Sequence, residues 1–199
     1  MMRGLYPITP DTADTDALLR KVEAVLKAGA AMLQYRNKAI SRDKRLAQAS
    51  ELAGLMRRYG VPLIVNDDID IALAVDASGA HIGRDDGDLA AARARLGGKI
   101  LGASCYDSLE SARAAVRAGA DYVAFGSVFP SPTKPDARRA PLSLFRQELG
   151  VPLCAIGGIT LDNAPAVIAA GASLLAVISD VFDAPDIGAR AHQYGRLFS

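Results

Sequence analysis

Tryptophan is absent from the 199-residue chain, and the aromatic content is only 6%. This scarcity disfavours a nucleic-acid-binding surface on which bases stack against aromatic rings. The formal net charge is +1, so the chain also lacks the broad basic field that attracts nucleic acid. We therefore expect no nucleic-acid partner.

Cysteine is scarce, and long apolar runs are missing. Cys105 and Cys154 are the only cysteines, and neither has the paired spacing of a zinc site or a disulfide framework. Such usage is typical of a reducing compartment. No uncharged stretch approaches the roughly 18 residues of a membrane span, and the start MMRGLYPITPD does not have the apolar segment of a signal peptide. We expect a soluble, cytoplasmic protein with no membrane partner.

Short apolar runs alternate with stretches of helical periodicity along the chain. Eight runs are predicted to be strands: GLYPIT, AMLQYR, PLIVN, GAHIG, ILGASC, DYVAFG, PLCAIG and LLAVIS. The stretch between the first two has one apolar face, made of Leu18, Leu19, Val22, Val25 and Leu26. The tripeptide AGA recurs at 28–30, 118–120 and 170–172, where a helix is expected to end before a strand.

Continuous apolar strands separated by helices are typical of a parallel sheet that is covered on both faces. Eight such units in 199 residues predict an α/β protein with one (β/α)8 TIM-barrel domain over residues 1–199. The competing fold is a doubly wound open sheet, which normally has a glycine-rich turn after its first strand. ITPDTAD follows the first strand here, so the barrel is the preferred prediction.

A TIM barrel has its active site at the carboxyl ends of its strands, where the loops meet at one mouth. The residues at those positions are Gln34, Arg36, Lys38, Asn66, Asp67, Asp68, Arg84, Asp85, Asp86, Ser104, Ser131, Thr133, Lys134, Gly157, Gly158 and Ser179. Their cations suit a polyanion, their carboxylates suit a hard divalent cation, and backbone amides of the last two loops suit a phosphate. Together they predict a Mg²⁺-assisted pyrophosphate site beside a second phosphate site.

Several of these residues also have simpler explanations. Asp67 and Asp86 are equally well placed to cap the helices that follow them. The pair Gly157 and Gly158 would allow close packing of a helix against a strand. His81, in the short strand GAHIG, is predicted to be a packed histidine with one satisfied nitrogen rather than a catalyst.

Six stretches resemble the thiamine phosphate synthase family, in the same order and over nearly the whole chain: QYRNK, NDDIDIA, GAHIGRDD, LGASC, ADYVAFGSVFPSPTK and CAIGGIT with the later VIS. The resemblance implies a TIM barrel that acts on two small-molecule substrates. It would join 4-amino-5-hydroxymethyl-2-methylpyrimidine pyrophosphate to 4-methyl-5-(2-phosphoethyl)thiazole. The products would be thiamine phosphate and pyrophosphate.

The resemblance also implies the residues of the site. The pyrimidine and its pyrophosphate would be bound by Gln34, Arg36, Lys38, Asn66, Ser104, Ser131, Thr133 and Lys134. The thiazole phosphate would be bound by Gly158, Ile178 and Ser179. Mg²⁺, the cofactor that the family implies, would be ligated by Asp67 and Asp86, and the catalytic residues would be Lys134, Ser104 and Asn66. Arg84 departs from the family's usual glutamine, and Ser131 from its commoner threonine.

The implied reaction needs no nucleophilic side chain. A carbon–oxygen bond at an electron-rich pyrimidine methylene can break dissociatively, so the protein mainly stabilises the departing pyrophosphate. Two alternatives stay open: a thiazole tautomerase on the same barrel, and a non-catalytic sensor of a phosphate ligand. The tautomerases typically lack the pyrophosphate set, which this chain retains in Lys38, Asn66, Asp67, Thr133 and Lys134. A homo-oligomer is also left open.

Overall fold

A computed structural model describes residues 2–83, 87–130 and 139–199. All eight runs predicted to be strands form strands of one sheet, and every neighbouring pair is parallel. The strands are β1 (Gly4–Pro7), β2 (Leu33–Tyr35), β3 (Leu63–Asn66), β4 (Gly79–Ile82), β5 (Ile100–Tyr106), β6 (Tyr122–Phe125), β7 (Leu153–Ile156) and β8 (Leu174–Val177).

The sheet closes on itself almost completely. Its strand order is β1-β8-β7-β6-β5-β4-β3-β2, which leaves β1 and β2 at the two edges. These edges meet through a parallel bridge between Ile8 and Gln34, and the Thr9 amide donates to the Gln34 carbonyl oxygen at 2.9 Å. The predicted (β/α)8 barrel is therefore confirmed, and the open doubly wound sheet is excluded.

Helices alternate with the strands around the barrel. They are α1 (Thr15–Lys27), α2 (Arg42–Tyr59), α3 (Ile69–Ala74), α4 (Leu89–Leu96), α5 (Leu109–Arg117), α6 (Ala164–Ala169), α7 (Ser179–Phe182) and α8 (Ile187–Arg196), with a 3₁₀ helix at Leu142–Arg146. Four of the five residues predicted for the apolar face of α1 are buried, and Leu19 is partly buried. Within the described ranges, no helix has the length and apolar character needed to cross a membrane.

The buried side chains form two separate clusters because successive residues of a strand point to opposite faces of the sheet. The larger cluster lies between the strands and the surrounding helices. The smaller one fills the barrel interior and consists of Tyr6, Ile8, Met32, Ile64, Tyr122, Ala124, Cys154, Leu174 and Ala176. The interior therefore contains two tyrosine hydroxyl groups, and burial obliges each of them to find a hydrogen-bond partner.

Tyr122 fits inside the barrel only because its neighbour on β5 is a glycine. Gly102 lies opposite Tyr122 in the β5–β6 register. A Cβ atom built on Gly102 would lie 2.1 Å from Cζ of the Tyr122 ring, far inside the contact distance of two carbon atoms. The ring is fully buried, so it has no empty space into which it can withdraw.

We expect Gly102→Ala to lower the free energy of unfolding by about 1–3 kcal/mol, since it overpacks the interior. Urea denaturation would measure the change. Gly54→Ala in α2 is the matched control, because no atom lies within 4 Å of the added Cβ there. That control is expected to be neutral or slightly stabilising, as is usual for alanine in a helix. Equal stability of Gly102→Ala and the wild type would contradict this account of the packing.

Candidate active site

A chain of hydrogen bonds crosses the barrel interior and ends at the mouth on both sides. Nε2 of Gln34 donates to the Tyr6 hydroxyl at 2.8 Å, and the hydroxyls of Tyr6 and Tyr122 lie 2.7 Å apart. The Tyr122 hydroxyl lies 2.9 Å from Nδ1 of His81, whose Nε2 lies 2.8 Å from Oγ of Ser104. Gln34 and Ser104 were both predicted to bind ligand. They are connected through Tyr6, Tyr122 and His81, which were not predicted to belong to the site.

His81 differs from its sequence prediction in one respect. It is packed, as expected, with 6% of its surface exposed, but both ring nitrogens are bonded rather than one. The ring also stacks on Tyr122, with ring centroids 5.5 Å apart. Sequence reasoning missed this chain because its members come from β1, β2, β4, β5 and β6, which only the closed barrel brings together.

The two tyrosines of the chain remain neutral phenols. Burial raises the pKa of Tyr6 and the pKa of Tyr122 well above the ordinary value, because a phenolate would lose its hydration inside the barrel. Each hydroxyl therefore keeps one proton that it can donate.

Arg36 and Lys38 are fixed by an aspartate from the loop after β1. Oδ1 of Asp11 accepts from Nη1 of Arg36 at 3.0 Å and from the backbone amide of Lys38 at 3.0 Å. The hydroxyl of Thr9 donates to the Arg36 carbonyl oxygen at 2.8 Å. Asp11 was missed in the sequence analysis, although its position in ITPDTAD, the first loop of the mouth, was a usable signal.

Buried amides on the outer side of β2 also hold this loop. Oε1 of Gln48 in α2 accepts from the Tyr35 hydroxyl at 2.9 Å and from Nδ2 of Asn37 at 3.1 Å. Both amide groups donate to the carbonyl oxygen of Thr12, at 2.6 Å from Asn37 and 3.1 Å from Gln48. The loops after β1 and β2 are therefore joined to each other and to α2 before any ligand binds.

Asp67 has an unusual backbone conformation, with φ at 63°, in the left-handed region that non-glycine residues rarely adopt. Its amide donates to the His81 carbonyl oxygen at 2.8 Å, and its Oδ2 accepts from Nδ2 of Asn66 at 2.6 Å. Nζ of Lys38 lies 3.4 Å from the same oxygen. The cap of α3 is Asp68, whose Oδ1 accepts from the Ile71 amide, so helix capping does not account for Asp67.

The donor set at Asp67 is compatible with a hard cation but incomplete. Asp67 has a carboxylate at the mouth, 24% exposed, and oxygen donors are the ligands that Mg²⁺ prefers. The other predicted ligand, Asp86, lies outside the described residues. Within the described part of the chain, no group of three His, Cys, Asp or Glu side chains is arranged to hold a metal ion.

The predicted phosphate residues lie on the opposite side of the mouth, after β7 and β8, which are adjacent in the sheet. Nδ2 of Asn163 donates to the Gly158 carbonyl oxygen at 2.9 Å, and its Oδ1 accepts from the Thr160 amide at 2.9 Å. Ile178 packs against the interior cluster, and Ser179 is the first residue of α7, where a helix leaves its amides without internal partners.

Asp180 joins the two loops of this phosphate side. Its Oδ2 accepts from the Leu161 amide at 3.3 Å and from the Tyr194 hydroxyl at 2.7 Å, and its Oδ1 accepts from Nη1 of Arg190 at 2.8 Å. The hydrogen bond to Asp180 raises the pKa of Arg190. Sequence reasoning missed Asp180, whose partners in α8 are ten and fourteen residues further along the chain.

The paired glycines after β7 make room for the loop after β6. The amides of Val128 and Phe129 donate to the carbonyl oxygens of Ile156 and Gly157, each at 3.0 Å. A Cβ on Gly158 would lie 2.3 Å from the Pro130 carbonyl oxygen. The sequence alternative of close helix–strand packing is therefore wrong, since the close approach is between two loops.

Several predicted site residues lie outside the described residues. They are Arg84, Asp85, Asp86, Ser131, Thr133 and Lys134. Their implied roles stay predictions.

Comparison with known proteins gives consistent matches over the chain. A family model described as thiamine monophosphate synthase matches residues 5–181. The thiamine-phosphate synthase of Aromatoleum aromaticum is 62% identical, covering 99% of this chain and 97% of the relative. That of Methylobacillus flagellatus is 57% identical, covering 100% of this chain and 96% of the relative.

Among solved structures, thiamine phosphate pyrophosphorylase from Pyrococcus furiosus is 35% identical with a TM-score of 0.88, covering 99% of this chain and 96% of that one. A 3-hexulose-6-phosphate synthase has a TM-score of 0.73 at 17% identity, with 98% of this chain and 99% of that one covered. The second match shows a shared fold alone.

Proposed function

The chain belongs to the thiamine monophosphate synthase family, and we propose that it couples a pyrimidine pyrophosphate to a thiazole phosphate at the mouth of its barrel. The family's members are transferases of thiamine biosynthesis, and this chain is one of them. The substrates we propose are 4-amino-5-hydroxymethyl-2-methylpyrimidine pyrophosphate and 4-methyl-5-(2-phosphoethyl)thiazole. The products are thiamine phosphate and pyrophosphate.

One observation carries this assignment of substrates to the site. The described residues implied for the pyrimidine, the pyrophosphate and the metal lie at or just after the carboxyl ends of three strands, β2, β3 and β5: Gln34, Arg36, Lys38, Asn66, Asp67 and Ser104. The implied phosphate residues lie after β7 and β8. This placement supports a mouth in which the two anionic substrates bind on opposite sides of one reaction centre.

The reaction we propose begins with cleavage of the bond between the pyrimidine methylene carbon and the pyrophosphate oxygen. The bonding electron pair leaves with pyrophosphate, and the ring amino group stabilises the positive charge on carbon. The thiazole nitrogen then donates its lone pair to that carbon. No protein group forms a covalent bond to substrate, so catalysis rests on positioning and on charge stabilisation.

The cations of the second loop stabilise the leaving group in this scheme. Asp11 fixes the Arg36 guanidinium and the backbone of Lys38, so the second loop needs little reorganisation as negative charge develops on pyrophosphate. The interior beneath the site is closed by buried tyrosine rings, which keeps water away from a reactive carbon centre.

Mg²⁺ is the cofactor we propose, with Asp67 and Asp86 as its protein ligands. Asp67 fits this role because its carboxylate is held by Asn66 and is not needed as a helix cap. When bound, the cation would neutralise pyrophosphate charge and favour its departure. Nζ of Lys38 lies 3.4 Å from Oδ2 of Asp67, so a cation of the second loop and a proposed metal ligand lie side by side at the mouth.

The thiazole phosphate is proposed to bind at Gly158, Ile178 and Ser179. Backbone amides in such turns are suitable donors to phosphate oxygens. Asn163 holds the carbonyl of Gly158, and Asp180 holds the Leu161 amide, so both loops of this phosphate side are fixed in advance.

A direct assay tests the proposal. Purified protein would be incubated with both substrates and Mg²⁺, and formation of thiamine phosphate and pyrophosphate would be followed together. We expect the two products in equal amounts. Isomerisation of the thiazole without coupling would identify a tautomerase, and binding without turnover would identify a sensor. Either result would contradict the proposal.

Asp67→Asn is expected to lower kcat/KM by on the order of 100-fold or more, because it removes a charged oxygen ligand from the pyrophosphate side. Activity would be measured over a Mg²⁺ titration. Asp70→Asn is the control, since Asp70 is an exposed acid three residues away that pairs with Arg95. Near-normal activity of Asp67→Asn at limiting Mg²⁺ would remove Asp67 from the ligand set.

Asn163→Ala is expected to raise KM for the thiazole phosphate by about 5–10-fold, close to the value of one or two lost hydrogen bonds. KM for the pyrimidine substrate is expected to stay constant, because its residues lie on the other side of the mouth. Asp162→Ala changes the exposed neighbour and is the control. An equal rise in both KM values would indicate general damage to the barrel instead.

A further inference from the structure

The hydrogen-bond chain between Gln34 and Ser104 has a definite direction. Gln34 is 3% exposed, and its amide nitrogen donates to Tyr6. A phenol has one proton, so Tyr6, having accepted from Gln34, donates its own proton to Tyr122. Otherwise the Tyr6 proton would be buried without an acceptor, at a cost of about 1–3 kcal/mol.

The same reasoning fixes the rest of the chain. Tyr122 accepts from Tyr6 and therefore donates to Nδ1 of His81, which must be unprotonated. A neutral imidazole then has its proton on Nε2, and this proton is donated to Oγ of Ser104. The hydroxyl proton of Ser104 is left to point elsewhere.

The two ends of the chain have complementary unused groups. Among the described residues, no protein group bonds the Gln34 amide oxygen or accepts the Ser104 proton. Gln34 therefore offers a hydrogen-bond acceptor to a ligand, and Ser104 offers a donor.

We propose that Tyr6, Tyr122 and His81 are positioning residues that couple the amide orientation of Gln34 to the proton position of Ser104. This inference rests on the proposed function, in which both end residues contact the pyrimidine substrate. The coupled ends select a ligand that presents a donor to Gln34 and an acceptor to Ser104. An aminopyrimidine pyrophosphate presents both, through its amino group and through its ring nitrogens or phosphate oxygens.

Reversing the hydrogen-bond direction at one end requires every hydrogen bond between Gln34 and Ser104 to reverse. If the group at position 34 accepts from Tyr6, then Tyr122 must donate to Tyr6 and Nδ1 of His81 must donate to Tyr122. Nε2 then accepts from Ser104, and the serine has no proton left for a ligand. A purely structural packing role of the tyrosines predicts no such linkage.

The tautomer of His81 provides the test. The protein contains only two histidines, His81 and His192, so the ¹⁵N spectrum of histidine-labelled protein is simple. The variant His192→Gln assigns its signals. We expect the wild-type protein at pH 8.5 to have His81 protonated on Nε2. In Gln34→Glu the carboxylate accepts from Tyr6, and His81 is expected to be protonated on Nδ1 instead.

Tyr6→Phe is the second variant, in case Gln34→Glu does not fold. It disconnects Gln34 from the chain, so we expect a mixture of both tautomers in place of one. Wild-type His81 protonated on Nδ1, or an unchanged tautomer in the folded variants, would overturn the proposal. These measurements need no substrate, so they decide the linkage even if the coupling assay fails.

Steady-state kinetics test the positioning role separately. Tyr6→Phe and Tyr122→Phe are each expected to lower kcat/KM for the pyrimidine substrate by about 5–20-fold and to leave KM for the thiazole phosphate unchanged. Tyr59→Phe is the control, because that hydroxyl bonds Glu23 between α2 and α1. An equal rise of KM for both substrates would assign the tyrosines to packing alone and overturn the positioning role.

Discussion

Two buried hydroxyl groups constrain the interior of this barrel. Tyr6 and Tyr122 lie where water cannot hydrate them, so each hydroxyl must be bonded within the protein. In the described part of the chain, the two hydroxyls bond each other, Gln34 from β2 and His81 from β4, and His81 in turn bonds Ser104 from β5. The packing of the core and the arrangement of the mouth therefore depend on the same set of hydrogen bonds. Gly102 is also required for this arrangement, because it leaves the space that the Tyr122 ring fills.

Two aspartates outside the predicted set organise the two sides of the mouth. Asp11 holds Arg36 and the amide of Lys38, and Asp180 holds the Leu161 amide together with α8. In both cases one carboxylate from one loop fixes a neighbouring loop. Both loops are therefore fixed before substrate arrives, and the proposed reaction, which has no covalent intermediate, would depend on such prior positioning.

Local sequence patterns predicted the elements well because burial and helix ends leave short-range signals. The eight apolar runs became the eight strands, and the face of α1 was predicted from its periodicity. The same short range explains the failures. His81 was predicted to have one bonded nitrogen, because its partners Tyr122 and Ser104 come from other strands of the barrel. Asp180 was not noticed, because its partners come from the packing of α7 against α8 and against the loop after β7.

The sequence by itself determined the barrel, the family, and the list of polar residues at the strand ends, since each depends on residue type and spacing along the chain. Only the tertiary structure decided which of those residues touch. It joined Gln34 to Ser104 through Tyr6, Tyr122 and His81, and it brought Lys38 close to Asp67. The physical reason is that hydrogen bonds between side chains act over about 3 Å, whereas their members here are separated by up to 116 residues of chain.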